Sequence, residues 1–454
     1  MRLSATDRTV LGIAAPAVVE LILTSLTALV DTVMVGRLGP WAISAVGLTS
    51  QPRFIMLAVF IALNVGSTAL VARFKGQNDK ANAEIVTMQS IFLTLILAGA
   101  LTVPGILFAR PMVIFMGAGP DTVDAAEGFF RITMTGFVPT ALPLAISALL
   151  RGVGDTMISM RYNLAANLVN LVFNYLLIYG KFGFPELGVY GSAVATVIGN
   201  CAASAMAIYA IAGQRFHRRK NRASDFLELK FTRRACMPNA AMLARIVNIG
   251  LPSALEQLAL RAGLLIYTIT VTGLGTAVFA AHQIVLTILN LSFVNGQAFG
   301  IAATTLTGQA LGRSDHDAAK TASRSCQHIG CAISTALGIL MFVFRKPLML
   351  LFTNDPEIIA LGAGIMILTA LLQPFQSSFQ IYAGALRGAG DALYPALSMI
   401  AGILIIRPSL SYGFITIAGW GLFGAWLALT VDQFTRFILI RLRYKSGKWV
   451  HKIV

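Results

Sequence analysis

Four asparagines, Asn163, Asn167, Asn170 and Asn174, recur at i, i+4, i+7 and i+11 of the segment YNLAANLVNLVFNY. On a helix this spacing lines their amides along one face. Near the N-terminus, Glu20, Thr24, Thr27 and Asp31 follow the same interval. Both stripes interrupt long apolar runs, so lipid cannot satisfy them, and they are expected to face each other or a water-filled cavity. One carboxylate among neutral oxygens suits a hydrated sodium site or a proton-titratable carboxylate. Asp31 is the candidate ligand for Na+. Hydrogen bonds that merely join helices would produce the same stripes.

The setting of these residues fixes the class. The chain is 56% hydrophobic and 12% charged, with a mean hydropathy of +0.75. Apolar spans of about 20 residues recur end to end. They fall near 12–36, 44–72, 84–108, 122–150, 160–180, 188–213, 246–271, 279–309, 322–345, 357–385, 393–416 and 421–441. This predicts an all-α integral membrane protein with twelve transmembrane helices, because backbone groups in lipid must pair within each span. Low charge and continuous spans argue against an outer-membrane barrel. The first run contains Pro16, Glu20 and Asp31 and lacks a small-residue cleavage site, so it is expected to stay as the first span.

The net charge of +16 is concentrated in a few connections. Arg215, Arg218, Arg219, Lys220, Arg222, Lys230, Arg233 and Arg234 crowd the middle, and Arg441, Arg443, Lys445, Lys448 and Lys452 form the tail. Arg73, Lys75, Lys80, Arg151 and Arg161 fall on the same side of a twelve-span layout. The positive-inside bias then predicts an inner-membrane protein with both termini in the cytoplasm. This distribution favours lipid contact over a nucleic-acid partner. Cys201, Cys236, Cys326 and Cys331 show no disulfide or zinc spacing.

The chain is written twice. LRGVGD at Leu150–Asp155 returns as LRGAGD at Leu386–Asp391. At the same offset Pro16 and Glu20 match Pro252 and Glu256, Gly39 matches Gly275, and Asp79 matches Asp315. GVYGSAVA from Gly188 aligns with GLFGAWLA from Gly421 at a slightly shorter offset. Two six-helix lobes related by internal duplication are expected. The N-lobe should cover 1–213, a basic linker 214–245, the C-lobe 246–442 and a basic tail 443–454. An even helix count makes such repeats parallel, a plan common among secondary transporters.

The polar stripes are not duplicated. Applying the offset to the asparagines gives Met399, Ile403, Ile406 and Leu410, and Asp31 becomes Tyr267. The second half has other amides: Gln283, Asn290 and Gln297 on one face of the eighth span, and Gln373, Gln376 and Gln380 on the tenth. Together with His282 and Glu256 they are candidates to line a substrate cavity. Packing explains them equally well. Arg261, Arg407, Asp432 and Arg436 read as ion-paired or snorkelling charges.

Several motifs together resemble the multidrug and toxic compound extrusion (MATE) family over essentially the whole chain. They are VDTVMVGRLG at Val30–Gly39, the two Pro-x-x-x-Glu pairs, LGTAVFAAHQI at Leu274–Ile284, the twin LRGxGD loops and GVYGSAVAT at Gly188–Thr196. The resemblance implies a bacterial-type two-lobed antiporter, monomeric and without a cofactor. It would expel small organic compounds, often cationic, in exchange for Na+ or H+. It also implies a cation site made by Asp31, Asn170, Asn174 and Thr196, with Glu20 nearby, and a functional glutamate at Glu256. Some branches carry an aspartate where Asn174 stands, which leaves Asp31 as the principal carboxylate here.

Other functions fit parts of the sequence. GVGD and GAGD match the Gly-x-Gly-Asp pattern of intramembrane aspartyl proteases, with Asp155 and Asp391 as the pair. A glycine turn at a helix end accounts for the same letters. A lipid-linked precursor or polysaccharide flippase would favour arginine-lined grooves over carboxylates and amides. No G-x-x-x-x-G-K-[ST] loop for ATP occurs.

Overall fold

The computed structural model describes residues 4–212, 226–227 and 237–452. The basic cluster at 215–222 and 230–234 and Cys236 lie outside the described residues. The helices are α1 Ala5–Gly36, α2 Pro40–Gln77, α3 Lys80–Leu107, α4 Ala109–Phe115, α5 Val123–Thr135, α6 Phe137–Val153, α7 Thr156–Tyr179 and α8 Val189–Ile211. The second set is α9 Ala240–Thr272, α10 Thr276–Gly312, α11 His316–Val343, α12 Arg345–Leu350, α13 Pro356–Gly388, α14 Leu393–Ile417 and α15 Gly421–Lys445.

Among the described residues ten helices are long and apolar enough to cross a membrane, and α5 and α6 together have the length and composition of an eleventh span. The predicted single span over 122–150 is therefore two helices, bent by 51°. Gly136 sits at the break, where an added Cβ would lie 2.4 Å from Val197 of α8. A side chain there would prevent this close approach. The remaining predicted span, 160–180, is α7. At 24 residues it is long enough, but its asparagines lower its hydropathy below that of the other spans.

The duplication extends to single hydrogen bonds. In one half Thr68 Oγ1 donates to the Ala148 carbonyl at 2.9 Å; at the repeat offset, Thr304 Oγ1 donates to the Gly384 carbonyl at 2.9 Å. Asp79 caps α3 through the Asn82 N–H, and Asp315 caps α11 through the Ala318 N–H. In the LRGxGD loops the two glycines have different tasks. An added Cβ would lie 2.9 Å from Thr68 O at Gly152 and 2.2 Å from Thr304 O at Gly388, so the first glycine lets two helices touch. The second takes positive φ, 91° at Gly154 and 83° at Gly390, to end its helix.

The chain separates into two compact units, Val19–Gly250 and Met1–Val18 with Leu251–Val454. The expected lobe limits, 1–213 and 246–442, differ from this at two matched places. The start of α1 belongs with the second unit, where Val10, Ile13 and Ala14 enter a core with Phe299, Phe379 and Ile381. The start of α9 belongs with the first unit, where Gly250 and Gly66 make backbone contacts with Ala62 and Ile246. Both exchanges fall beside Pro16 and Pro252, inside their helices, where proline removes a backbone hydrogen bond and allows a change of direction.

Candidate cation site

The site lies in the first unit, where the two polar stripes meet. Glu20 accepts from Asn163 Nδ2 at 2.8 Å, Asn167 Nδ2 lies 3.5 Å from Thr24 Oγ1, and Asn174 Nδ2 donates to Asp31 Oδ1 at 2.6 Å. Each pair is separated by 143 residues, so α1 and α7 run parallel with their polar faces in register. Past the last pair, Tyr179 donates to the Met34 carbonyl at 2.9 Å.

Asp31, Asn170, Asn174 and Thr196 form one cluster. Asn170 lies between Asn174 and Thr196, with Nδ2 3.4 Å from Thr196 Oγ1. Turning its amide over gives up a 3.3 Å hydrogen bond from Asn174 Nδ2 and gains contacts to Asp31 and Thr196. The nitrogen then donates to both Asp31 oxygens at 3.2 Å, and the oxygen accepts from the Thr196 N–H at 3.2 Å. Gly199 of α8 makes this closeness feasible, since a Cβ there would lie 2.9 Å from Asn170 Cβ. The Asn174 side-chain oxygen is buried and has no hydrogen-bond donor. The cluster thus offers carboxylate, amide and hydroxyl oxygens, a donor set that fits a hard monovalent cation or a carboxylate that exchanges a proton.

Glu20 stands apart from this cluster. It is bound by Arg151 at 2.8 Å and by Ser159 Oγ at 3.2 Å, besides Asn163. In the second half Glu256 is bound by Arg387 at 2.5 Å. Both arginines come from the LRGxGD motifs, so the repeat encodes a glutamate–arginine pair in each half. Sequence reasoning placed those arginines only at loop junctions. The available signal was that glutamate and arginine keep a spacing of 131 residues in both halves.

The second-half candidates do not form one group. Gln283, Asn290 and Gln297 are exposed on α10. Gln373 and Gln376 are buried on α13, where Gln373 accepts from Ser292 Oγ at 2.5 Å and neither end of the Gln376 amide has a partner. His282 is buried, and its Nδ1 accepts from Trp426 Nε1 at 3.1 Å. The aspartates of the two GxGD segments are engaged locally. Asp155 caps α7, accepting from Ile158 N at 3.4 Å, and Asp391 is paired with Arg443 and Lys452, each at 2.8 Å.

A two-fold repeat of membrane-crossing helices, with an amide-lined carboxylate in one repeat, has the layout of a multi-pass membrane transporter. The profile of the MatE family matches twice, over residues 16–176 and 252–413, and the chain belongs to that family. Its members are transporters, and no enzymatic step is assigned. The chain is 28% identical over 442 residues to a probable multidrug resistance protein NorM of Thermotoga maritima, covering 97% of this chain and 93% of that protein. It is 29% identical to the multidrug resistance protein MdtK of Edwardsiella ictaluri over 390 residues, 85% of this chain and 82% of the other. Its fold is similar to an outward-facing MATE transporter of the MOP superfamily (TM-score 0.88, 23% identity, 98% and 97% coverage). A MOP superfamily transporter from Pyrococcus furiosus gives a TM-score of 0.89 at 23% identity, with 99% and 98% coverage.

Proposed function

We propose that this protein exports small organic compounds, cationic ones foremost, in exchange for Na+ or H+ bound at Asp31, Asn170, Asn174 and Thr196. The names of the NorM and MdtK relatives support multidrug export. One observation carries the coupling site. Among the described residues the four most buried carboxylates, Glu20, Glu256, Asp391 and Asp432, each hold an arginine. Asp31 is held only by amides, and among the described residues no basic side chain pairs with it. A carboxylate at such depth costs several kcal/mol unless a cation or proton offsets its charge. A bound cation would also give the Asn174 oxygen its missing partner. Loading and release would shift the balance between states open to either side of the membrane. The basic tail supports an inner-membrane location with the termini in the cytoplasm.

The test is transport in proteoliposomes with sodium and proton gradients imposed separately. Efflux of an organic cation driven by one of them, and lost in Asp31→Asn, is the expected result. Transport indifferent to both gradients would overturn the reading.

A further inference from the structure

In the second unit, the helices corresponding to the cation site's α1, α7 and α8 are α9, α14 and α15. The position of Asp31 is taken by Tyr267, and the charge balance has the opposite sign. Asp432 accepts from Arg407 Nε at 2.9 Å and Nη2 at 2.6 Å, and from Arg436 Nη2 at 2.9 Å. Arg436 Nε is also 2.9 Å from Asp432 Oδ1, but it is not aligned as a hydrogen bond. The three side chains are at most 4% exposed. Two guanidiniums and one carboxylate leave this triad one positive charge in excess, since Glu256, the next carboxylate acting on Arg436, is already matched by Arg387; such a buried charge is costly in a low-dielectric interior.

Two unpartnered donors accompany that charge. The Arg407 guanidinium lies over the Tyr267 ring at 5.3 Å, and Tyr267 packs edge-on against His282 at 5.4 Å. The indole of Trp426 can only donate, so His282 Nδ1 is the acceptor and its proton sits on Nε2. His282 Nε2 and the Tyr267 hydroxyl are both buried without a hydrogen-bond partner. Excess positive charge and unmet donors lack the same thing, a negatively charged acceptor. The helix that carries Arg407 is irregular on both sides of it. Its α-helical turn Arg407–Tyr412 lies between two π-helical stretches, Ala401–Ile406 and Gly413–Ile417. Such turns are rare and frequent at functional sites.

We propose that Arg407, Tyr267 and His282 form an anion site in the second unit that takes a small monovalent anion of the halide class. The test is thermal unfolding of the purified full-length protein, titrated with sodium bromide against sodium gluconate at constant sodium and ionic strength. Bromide should raise the midpoint saturably in the wild type and equally in Asp31→Asn. Tyr267→Phe keeps the ring against His282 and Arg407 and removes one donor. It should raise the half-saturating bromide concentration about tenfold, the scale of one hydrogen bond to a charge. Arg407→Gln should abolish the response; if it fails to fold, Tyr267→Phe decides alone. Coincident bromide and gluconate midpoints in the wild type would overturn the site. So would a Tyr267→Phe curve matching the wild type, or a response lost in Asp31→Asn.

Discussion

Asn174 donates to Asp31 Oδ1 at 2.6 Å, and the oxygen of the same amide is buried with no donor facing it. One asparagine thus fixes the carboxylate and holds out a free acceptor beside it. Asn174→Leu removes both contributions. Where sodium is the coupling ion, losing the free amide oxygen as a ligand should raise its half-saturating concentration about tenfold, the scale of one polar contact to a charge. Gradient-driven efflux at graded cation concentrations measures this. An unchanged midpoint would reduce Asn174 to a packing residue.

The glutamate–arginine pairs should behave as structural anchors. Glu256→Gln leaves the half-buried Arg387 without its counter-charge, and breaking a buried pair costs about 3 kcal/mol, an upper value here. Glu256→Gln with Arg387→Met should recover much of that loss. Chemical unfolding of the purified variants checks both. A Glu256→Gln protein as stable as the wild type would return Glu256 to the list of transport residues.

Helix contact through glycine gives a third prediction. Gly388→Ala would drive a methyl to 2.2 Å from the Thr304 carbonyl, whereas an added Cβ at Gly99 meets nothing within 4 Å. Gly388→Ala should lose about 1–3 kcal/mol, as overpacked sites do, and Gly99→Ala should lose no stability. Thermal midpoints of the two variants make the comparison.

Orientation can be read from the C-terminal end of α15. Ser446 is exposed in the basic tail. Ser446→Cys in a background with the native cysteines removed should react with an impermeant maleimide only after cells are opened. Labelling of intact cells would reverse the proposed topology.

Much of this was legible in the sequence because it is periodic. The repeated LRGxGD and Pro-x-x-x-Glu motifs implied two six-span halves, and the i, i+4, i+7, i+11 interval gave both stripes, with each other or a water-filled cavity as what they face. Their meeting at one constant register follows from two parallel helices with matched intervals. Long-range pairings were less legible. Arg151 lies 131 residues from Glu20, and only the packing of α1 against the end of α6 brings them together. The exchange of helix starts between units depends on prolines whose bending direction is set by neighbours. The π-helical turns of α14 leave no mark in composition. Asp432 and its two arginines read as ion-paired or snorkelling charges, but which partners meet was not legible, because the Arg407 contact joins α14 to α15 across 25 residues.

The central claim is that Asp31 carries the coupling cation. Asp31→Asn keeps the side chain's shape and can still hydrogen-bond to Asn170 and Asn174, but it cannot hold a charge-balancing cation or exchange a proton. The most direct measurement is efflux of an organic cation from proteoliposomes under an imposed sodium or proton gradient, with folded protein matched between variants. Asp31→Asn should fold, equilibrate substrate down its own gradient at most, and no longer concentrate it against one. Uphill transport by Asp31→Asn at the wild-type rate would contradict that role.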